Sequence, residues 1–195
     1  AEARAQATPP PPPPPASVTP CGMGDGARCR AACDQGEQES CVTLGIMLRE
    51  GKGVAKDNAQ ALALLRKGCE AGKPKGCVQA GEILYNVEPK DPGAAVELFR
   101  KGCDAGEPTG CTDLGWALSS GQGVARDDAA AAAAFGKACT GQTAVGCLGL
   151  GLLYRDGKGV AKDARRAGEL FKRACGAGVA AACSMAKPAG PELEH

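Results

Sequence analysis

Twelve cysteines fall in six pairs, each pair eight residues apart: Cys21/Cys29, Cys33/Cys41, Cys69/Cys77, Cys103/Cys111, Cys139/Cys147 and Cys175/Cys183. From the third pair on, the pairs recur every 34 or 36 residues. A fixed period of this length marks a stacked array, in which each unit buries its apolar face against the next. The regularity also bears on compartment. A cytosol keeps thiols reduced, so this even set of twelve points to an oxidising compartment, periplasmic or extracellular.

Four units align between the cysteines. They run CVTLGIMLREGKGVAKDNAQALALLRKGC over 41–69, CVQAGEILYNVEPKDPGAAVELFRKGC over 77–103, CTDLGWALSSGQGVARDDAAAAAAFGKAC over 111–139 and CLGLGLLYRDGKGVAKDARRAGELFKRAC over 147–175. Each reads as two antiparallel helices. The first starts near the opening cysteine and carries a glycine four residues on: Gly45, Gly81, Gly115 and Gly151. A glycine inside a helix costs up to about 1 kcal/mol against Ala, and its return at one position is expected to permit close helix contact. The first helix stops at Gly-x-Gly-Val (Gly51/Gly53, Gly121/Gly123, Gly157/Gly159), where glycine supplies left-handed backbone.

The second helix begins at an aspartate twelve residues before the next cysteine: Asp57, Asp91, Asp127 and Asp163. Aspartate is a good N-cap and suits the positive end of the helix dipole. Pro92 then takes the first helical position, where a missing N–H costs nothing. Ala61, Ala95, Ala131 and Ala167 are each followed four residues later by a large residue, Leu65, Phe99, Phe135 and Phe171. That spacing makes one buried face. The second unit is two residues shorter, with Asn86-Val87-Glu88-Pro89-Lys90 in place of Gly-x-Gly-Val, and its loop is expected to be tighter.

Twelve cysteines can pair in roughly ten thousand ways. The repeat register cuts this down. In each pair one cysteine ends a second helix and the other opens the next first helix, and a tight linker brings the two helix ends together. Pairing within each C-x7-C is then the natural geometry, and each bridge staples one repeat to the next. Cys21/Cys29 differs. Cys29 lies four residues before Cys33, where other units place Leu65 or Phe99, so it takes the seat of the core aromatic. Asp25 to Gln35 reads as a half-repeat capping the N-terminus. Cys183 opens a truncated last helix that Pro188 should end. The expected fold is all-α: a solenoid with a cap over 21–36, repeats over 37–72, 73–106, 107–142 and 143–178, and a cap over 179–187.

Residues 1–20 read as a tail. Its proline run, Pro9 to Pro15, favours extended polyproline II at about 3.1 Å per residue, serving as a stiff spacer or as a ligand for a proline-binding domain. Residues 188–195 form a second tail. Leu193-Glu194-His195 looks like the start of a tag, which takes with it the only histidine. No signal peptide opens the chain, so Ala1 is expected to follow a removed export signal or a cloning boundary.

The charge balance, 23 basic against 22 acidic residues, provides no electrostatic footprint for nucleic acid and no polybasic membrane patch. No apolar run reaches the roughly 18 residues of a membrane span. Paired cysteines can hold zinc, but zinc sites favour two to four intervening residues, and here there are seven. Redox catalysis uses C-x-x-C, which is absent. Without a native histidine no Ser-His-Asp or Cys-His site can assemble. Ser184-Met185-Ala186-Lys187 has the spacing of a β-lactamase nucleophile and its lysine, but Ser-Asp-Asn and Lys-Thr-Gly do not occur. No catalytic residue, metal or cofactor is therefore assigned.

The units resemble the Sel-1-like repeat family, a relative of the tetratricopeptide repeats. The resemblance spans residues 25–187. It rests on Leu44-Gly45, Leu114-Gly115 and Leu150-Gly151 with Tyr154 in the first helix, on Gly51 to Asp57, Gly121 to Asp127 and Gly157 to Asp163 in the loop, and on Ala61/Leu65, Ala131/Phe135 and Ala167/Phe171 in the second helix. The paired cysteines look like the secreted, cysteine-rich branch exemplified by the Helicobacter cysteine-rich proteins. The resemblance implies a right-handed α/α superhelix and protein–protein interaction. In that branch it also implies penicillin binding and weak β-lactamase activity, whose partner motifs this chain lacks. A purely structural spacer in an envelope complex is the third reading.

The same resemblance implies that first helices line the concave side. Candidate partner-binding positions lie one, five and eight residues after each opening cysteine, on one helical face. They are Val42, Ile46 and Arg49; Val78, Glu82 and Tyr85; Thr112, Trp116 and Ser119; Leu148, Leu152 and Arg155. Trp116 is the sole tryptophan, and a position that holds Glu82 one unit earlier is no deep core. Trp116 is therefore expected to be exposed, flanked by Tyr85 and Arg155, residue types enriched in binding hot spots. The alternative is a tryptophan partly buried between neighbouring first helices. The expected partner is a protein or peptide, and the expected state a monomer.

Overall fold

The computed structural model describes residues 21–186. The proline-rich tail, Lys187 and the C-terminal tail lie outside them. Among the described residues there are ten helices and no strand: α1 (Gly26–Asp34), α2 (Gln38–Glu50), α3 (Asn58–Glu70), α4 (Pro74–Asn86), α5 (Pro92–Asp104), α6 (Pro108–Ser120), α7 (Asp128–Thr140), α8 (Ala144–Asp156), α9 (Ala164–Gly176) and α10 (Ala180–Met185). The eight from α2 to α9 each hold thirteen residues, a length of about 20 Å. They form four hairpins, α2/α3, α4/α5, α6/α7 and α8/α9, with α1 and α10 as half-repeats at the two ends. None is long and apolar enough to cross a membrane.

The caps act as the spacing predicts. Asp57, Asp91, Asp127 and Asp163 each accept a hydrogen bond from a backbone N–H in the first turn of the second helix, satisfying donors that a helix start leaves free. Their own N–H groups donate back across the turn, to the carbonyls of Leu48, Leu84, Leu118 and Tyr154 at 2.8–3.0 Å. The second unit keeps this closure although its loop is two residues shorter. There Val87 ends α4 in extended conformation, where the other units have Gly51, Gly121 and Gly157 in left-handed conformation.

Glycine sets the hairpin spacing. A methyl group at Gly45, Gly81, Gly115 or Gly151 would fall 2.6–2.7 Å from Leu65, Phe99, Phe135 or Phe171 respectively. Those four large side chains are at most 3% exposed. Each is a knob on the second helix whose socket is a missing side chain on the first. With so few aromatics, the rest of the core is mostly alanine, leucine and half-cystine.

Three devices join one repeat to the next. The first is the disulfide. The bridges are Cys21–Cys29, Cys33–Cys41, Cys69–Cys77, Cys103–Cys111, Cys139–Cys147 and Cys175–Cys183, with Cα atoms 4.4–5.0 Å apart. No cysteine among the described residues is free.

The structure corrects the expectation that Cys41, Cys77, Cys111 and Cys147 open the first helices. Those helices begin three residues earlier, at Gln38, Pro74, Pro108 and Ala144. Proline at the first helical position and the Glu37 and Glu107 side-chain caps start them there. Cys41, Cys77, Cys111 and Cys147 thus sit a turn inside their helices, at most 4% exposed. They are core residues rather than surface joints. Each of these bridges therefore joins the last turn of one helix, at Cys33, Cys69, Cys103 or Cys139, to a point one turn inside the next. Cys183 sits at the same depth in α10 but is only half-buried.

The second device is a small residue before the second cysteine. A methyl at Gly76, Gly110 or Gly146 would lie 3.0 Å from the amide nitrogen of Cys69, Cys103 or Cys139. Ser40 fills that place in the first joint, buried, and its Oγ accepts the Cys21 N–H at 3.0 Å. The third device is the Gly-x-Gly-Val loop, whose second glycine seats on the start of the preceding second helix. Gly123 meets the backbone of Pro92 and Gly93, and Gly159 that of Asp128 and Ala129. In the N-terminal cap, Cys29 is fully buried, 3.8 Å from Met47 Sδ, in the core seat expected of it.

Candidate functional site

First helices of successive repeats also touch one another, α2 with α4, α4 with α6 and α6 with α8. The candidate positions on this layer divide by depth. Val42 and Val78, each 1% exposed, are core. Their side chains occupy the space over Gly68 and Gly102, which leaves no room there for a methyl. Thr112 and Ile46 are buried too, and the Thr112 hydroxyl donates to the Pro108 carbonyl at 3.0 Å. These four cannot present a side chain to a partner. The stripe is deepest at its N-terminal end, where Val42, Val78 and Thr112 directly follow the bridged Cys41, Cys77 and Cys111. Leu148 and Leu152 are half-buried; Arg49, Glu82, Tyr85 and Ser119 are partly exposed; Trp116 and Arg155 are exposed.

Trp116 and Tyr85 come together, and Arg155 does not join them. It pairs with Asp156 at 2.7 Å. Trp116 is 38% exposed, its ring edge-on to Phe135 with centroids 4.9 Å apart. Tyr85 rests against Phe99 at 5.8 Å, and its hydroxyl donates to Gln122 at 2.8 Å, which fixes the ring. Between them opens a cleft of about 220 Å³, lined by Glu82, Tyr85 and Asn86 of α4, Phe99 of α5, and Asp113 and Trp116 of α6. Larger hollows of about 390 and 540 Å³ run along α9. In the first, the Arg166 guanidinium lies over the Tyr154 ring at 5.6 Å. The second lies between α9 and the end of α10, with Met185 and Ala186 in its lining.

Asp113 was not among the positions singled out from the sequence. Its signal was available: two residues after the opening cysteine the units hold Thr43, Gln79, Asp113 and Gly149, so the third alone is acidic. Its environment is unusual. Glu82 pairs with Arg49 across the α2–α4 junction and also accepts from Gln79 at 3.1 Å. Among the described residues, no donor or cation reaches the Asp113 carboxylate. Burial, and then the Glu82 carboxylate, push the Asp113 carboxyl up to about 7.

That shift has a definite sign for stability. Asp113 holds its proton more tightly folded, at about 7, than unfolded, at the ordinary 3.8. The stabilisation it contributes is complete below pH 3.8 and is lost as pH rises to about 7. Glu50, Asp128 and Asp156 act in the opposite sense: hydrogen bonds from Lys52, Arg126 and Arg155 hold them below their ordinary values. A comparison of Asp113→Asn with the parent chain isolates the one carboxyl. The variant should be more stable than the parent by about 1–2 kcal/mol at pH 8, the full shift being discounted for partial solvent access. The gain should vanish near pH 4, as read from urea midpoints at both values. A gain independent of pH would show that folding leaves the Asp113 carboxyl at its ordinary value.

A layered stack of short antiparallel helical hairpins, with first helices on one side and an aromatic-walled cleft between two of them, defines an α-solenoid of the tetratricopeptide-like class. More closely, the chain belongs to the Sel1 repeat family, whose model matches residues 38–73, 77–107, 108–141 and 144–179. It is similar to a protective antigen of uropathogenic Escherichia coli displaying an SLR fold, at 29% identity and a TM-score of 0.74 over 80% of this chain and 34% of that one. It is also similar to a Sel1 repeat protein from Oxalobacter formigenes, at 22% identity and a TM-score of 0.73 over 80% of this chain and 65% of the other. Helicobacter pylori cysteine rich protein B is 31% identical, with a TM-score of 0.55, over 67% of this chain and 95% of its own. The chain thus spans about a third of the first of these and just under two thirds of the second. A search of curated proteins finds no match.

Proposed function

We propose that the chain is an exported, monomeric, non-catalytic scaffold whose first-helix face binds a protein or peptide. Trp116 carries the reading: an exposed indole on a braced helical layer, beside partly exposed Tyr85, Glu82 and Arg49. Amphipathic aromatics with an arginine nearby are the residue types that dominate protein interfaces. The Sel1 repeat, as a scaffold for protein interaction, supports the same class of role. Six bridged cysteine pairs support export, because such bonds form and persist in oxidising compartments. The non-catalytic reading is supported at Ser184, whose hydroxyl donates to the Ala181 carbonyl at 3.0 Å within α10.

The test is a peptide selection. A phage-displayed peptide library is panned on the oxidised, immobilised chain, and the enriched peptides are measured by calorimetry against the parent and Trp116→Ala. The variant should lose more than about 1 kcal/mol, at least about fivefold in Kd, with its circular dichroism unchanged. Equal affinity for both would remove Trp116 from the site. Failure of any peptide to enrich would favour the rigid-spacer reading.

A further inference from the structure

We propose that the cleft between α4 and α6 seats one cationic side chain, a lysine or arginine of the bound protein or peptide, with its charge on Asp113 and its stem against Trp116 and Tyr85. The inference deepens the scaffold reading and rests on it for the class of partner.

The repeat array itself provides the template. At the α2–α4 junction, the position eight residues after the opening cysteine holds Arg49, and its guanidinium crosses to Glu82 on the next first helix. At the α4–α6 junction the same position holds Tyr85, which carries no charge; Trp116 stands where Glu82 does, and the acid on this helix, Asp113, lies three residues earlier and lines the same cleft. At the α6–α8 junction there is neither: Ser119 stands at that position and Gly149 faces the Phe135 ring, where even a methyl would fall 2.6 Å away. So the chain supplies its own cation at the first junction, needs none at the third, and leaves a carboxylate uncompensated at the second.

The walls suit the missing group. Two aromatic side chains flank the opening, each held by a core phenylalanine, and one is further fixed by Gln122. Aromatic walls with a carboxylate at the base favour a cation carried on an apolar stem, through cation–π attraction and a charge-assisted hydrogen bond. The cleft volume of about 220 Å³ suits one long side chain and is too small for a helix or a folded element. The raised pKa of Asp113 comes first from burial and then from the Glu82 carboxylate, and a bound cation would relieve both.

Trp116, as the sole tryptophan, is the built-in reporter. The oxidised chain is titrated with acetyl-Gly-Lys-Gly-amide, its norleucine isostere, its glutamate analogue and free n-butylamine, following Trp116 fluorescence and backbone amide shifts. The lysine peptide should saturate and shift the amides around Glu82, Tyr85, Asp113 and Trp116. The norleucine peptide should bind at least about fivefold more weakly. Asp113→Asn should erase that difference and Asp113→Glu should restore part of it. Equal binding of lysine and norleucine peptides would make the cleft merely apolar and overturn the proposal, as would the absence of shifts at these residues. Tighter binding of butylamine than of the lysine peptide would overturn the assignment to a peptide side chain. If enriched library peptides bind this face but tolerate loss of every Lys and Arg, the cation seat falls and the scaffold stands. If no library peptide enriches while the lysine probe shifts these residues, the scaffold reading falls and the cation seat stands.

Discussion

Complete reduction of the six disulfides is expected to unfold the chain at room temperature. Each bridge closes a ring across a sequence separation of eight, which chain-entropy reasoning values at about 2.5 kcal/mol. Six such rings together approach roughly 15 kcal/mol, the upper end of what whole domains possess, about 5–15 kcal/mol. The apolar core cannot make up the difference. It is built mostly of alanine, leucine and half-cystine, and among the described residues its only buried rings are Phe99, Phe135 and Phe171. Far-UV circular dichroism on heating, with and without reductant, reads the effect, mass spectrometry confirming that all twelve thiols are free. An unchanged melting temperature in the reduced protein would mean that packing alone sustains the stack.

The largest effect of a single substitution should come from Phe135→Ala. Its ring is gripped from two repeats at once, with Gly115 of its own hairpin and Gly149 of the next both too close to accept a methyl. It is 1% exposed and supports the Trp116 indole at 4.9 Å. Removing it leaves a cavity bounded by α6, α7 and α8, with no longer side chain on either glycine to fill the space. A cost of about 3–5 kcal/mol follows, and denaturant midpoints should show it as such. Trp116 emission should shift in the folded variant, because its support is gone. A loss below about 1 kcal/mol would show that the hairpins close over the void.

The fold was legible from the chain because its determinants are local and repeated. Asp57, Asp91, Asp127 and Asp163 mark helix starts by what they do within three residues. Gly45 and its counterparts mark the socket for a residue one hairpin arm away. The first-helix starts were less plain. Cys41, Cys77, Cys111 and Cys147 are conspicuous, but Pro74 and Pro108 were the better signal. The interaction face was less legible again. Helical spacing puts Val42, Ile46 and Arg49 on one stripe, but only the crossing angle of neighbouring hairpins decides where that stripe submerges, and it buries the first two. Trp116 was legible because Glu82 stands at its position one repeat earlier. The Arg49–Glu82 pair and the isolation of Asp113 were not, because they depend on side chains of different repeats, roughly 30 residues apart, meeting across a junction. Charge balance at such a junction is a property of two repeats, and a repeat-by-repeat alignment considers one.

The C-x7-C bridges have a consequence for how the molecule is made. Counted from the first, the cysteines are joined in consecutive twos, so the six rings lie in series, without nesting or crossing. A chain emerging lengthwise, from a ribosome or through a pore, presents each correct partner before any wrong one. An oxidant that merely joins thiols in order of appearance therefore produces the native set, and no later shuffling by a disulfide isomerase is required. Each ring closes over a handful of residues, at a low loop-closure cost. Order of emergence thus specifies the covalent framework before most of the tertiary packing exists.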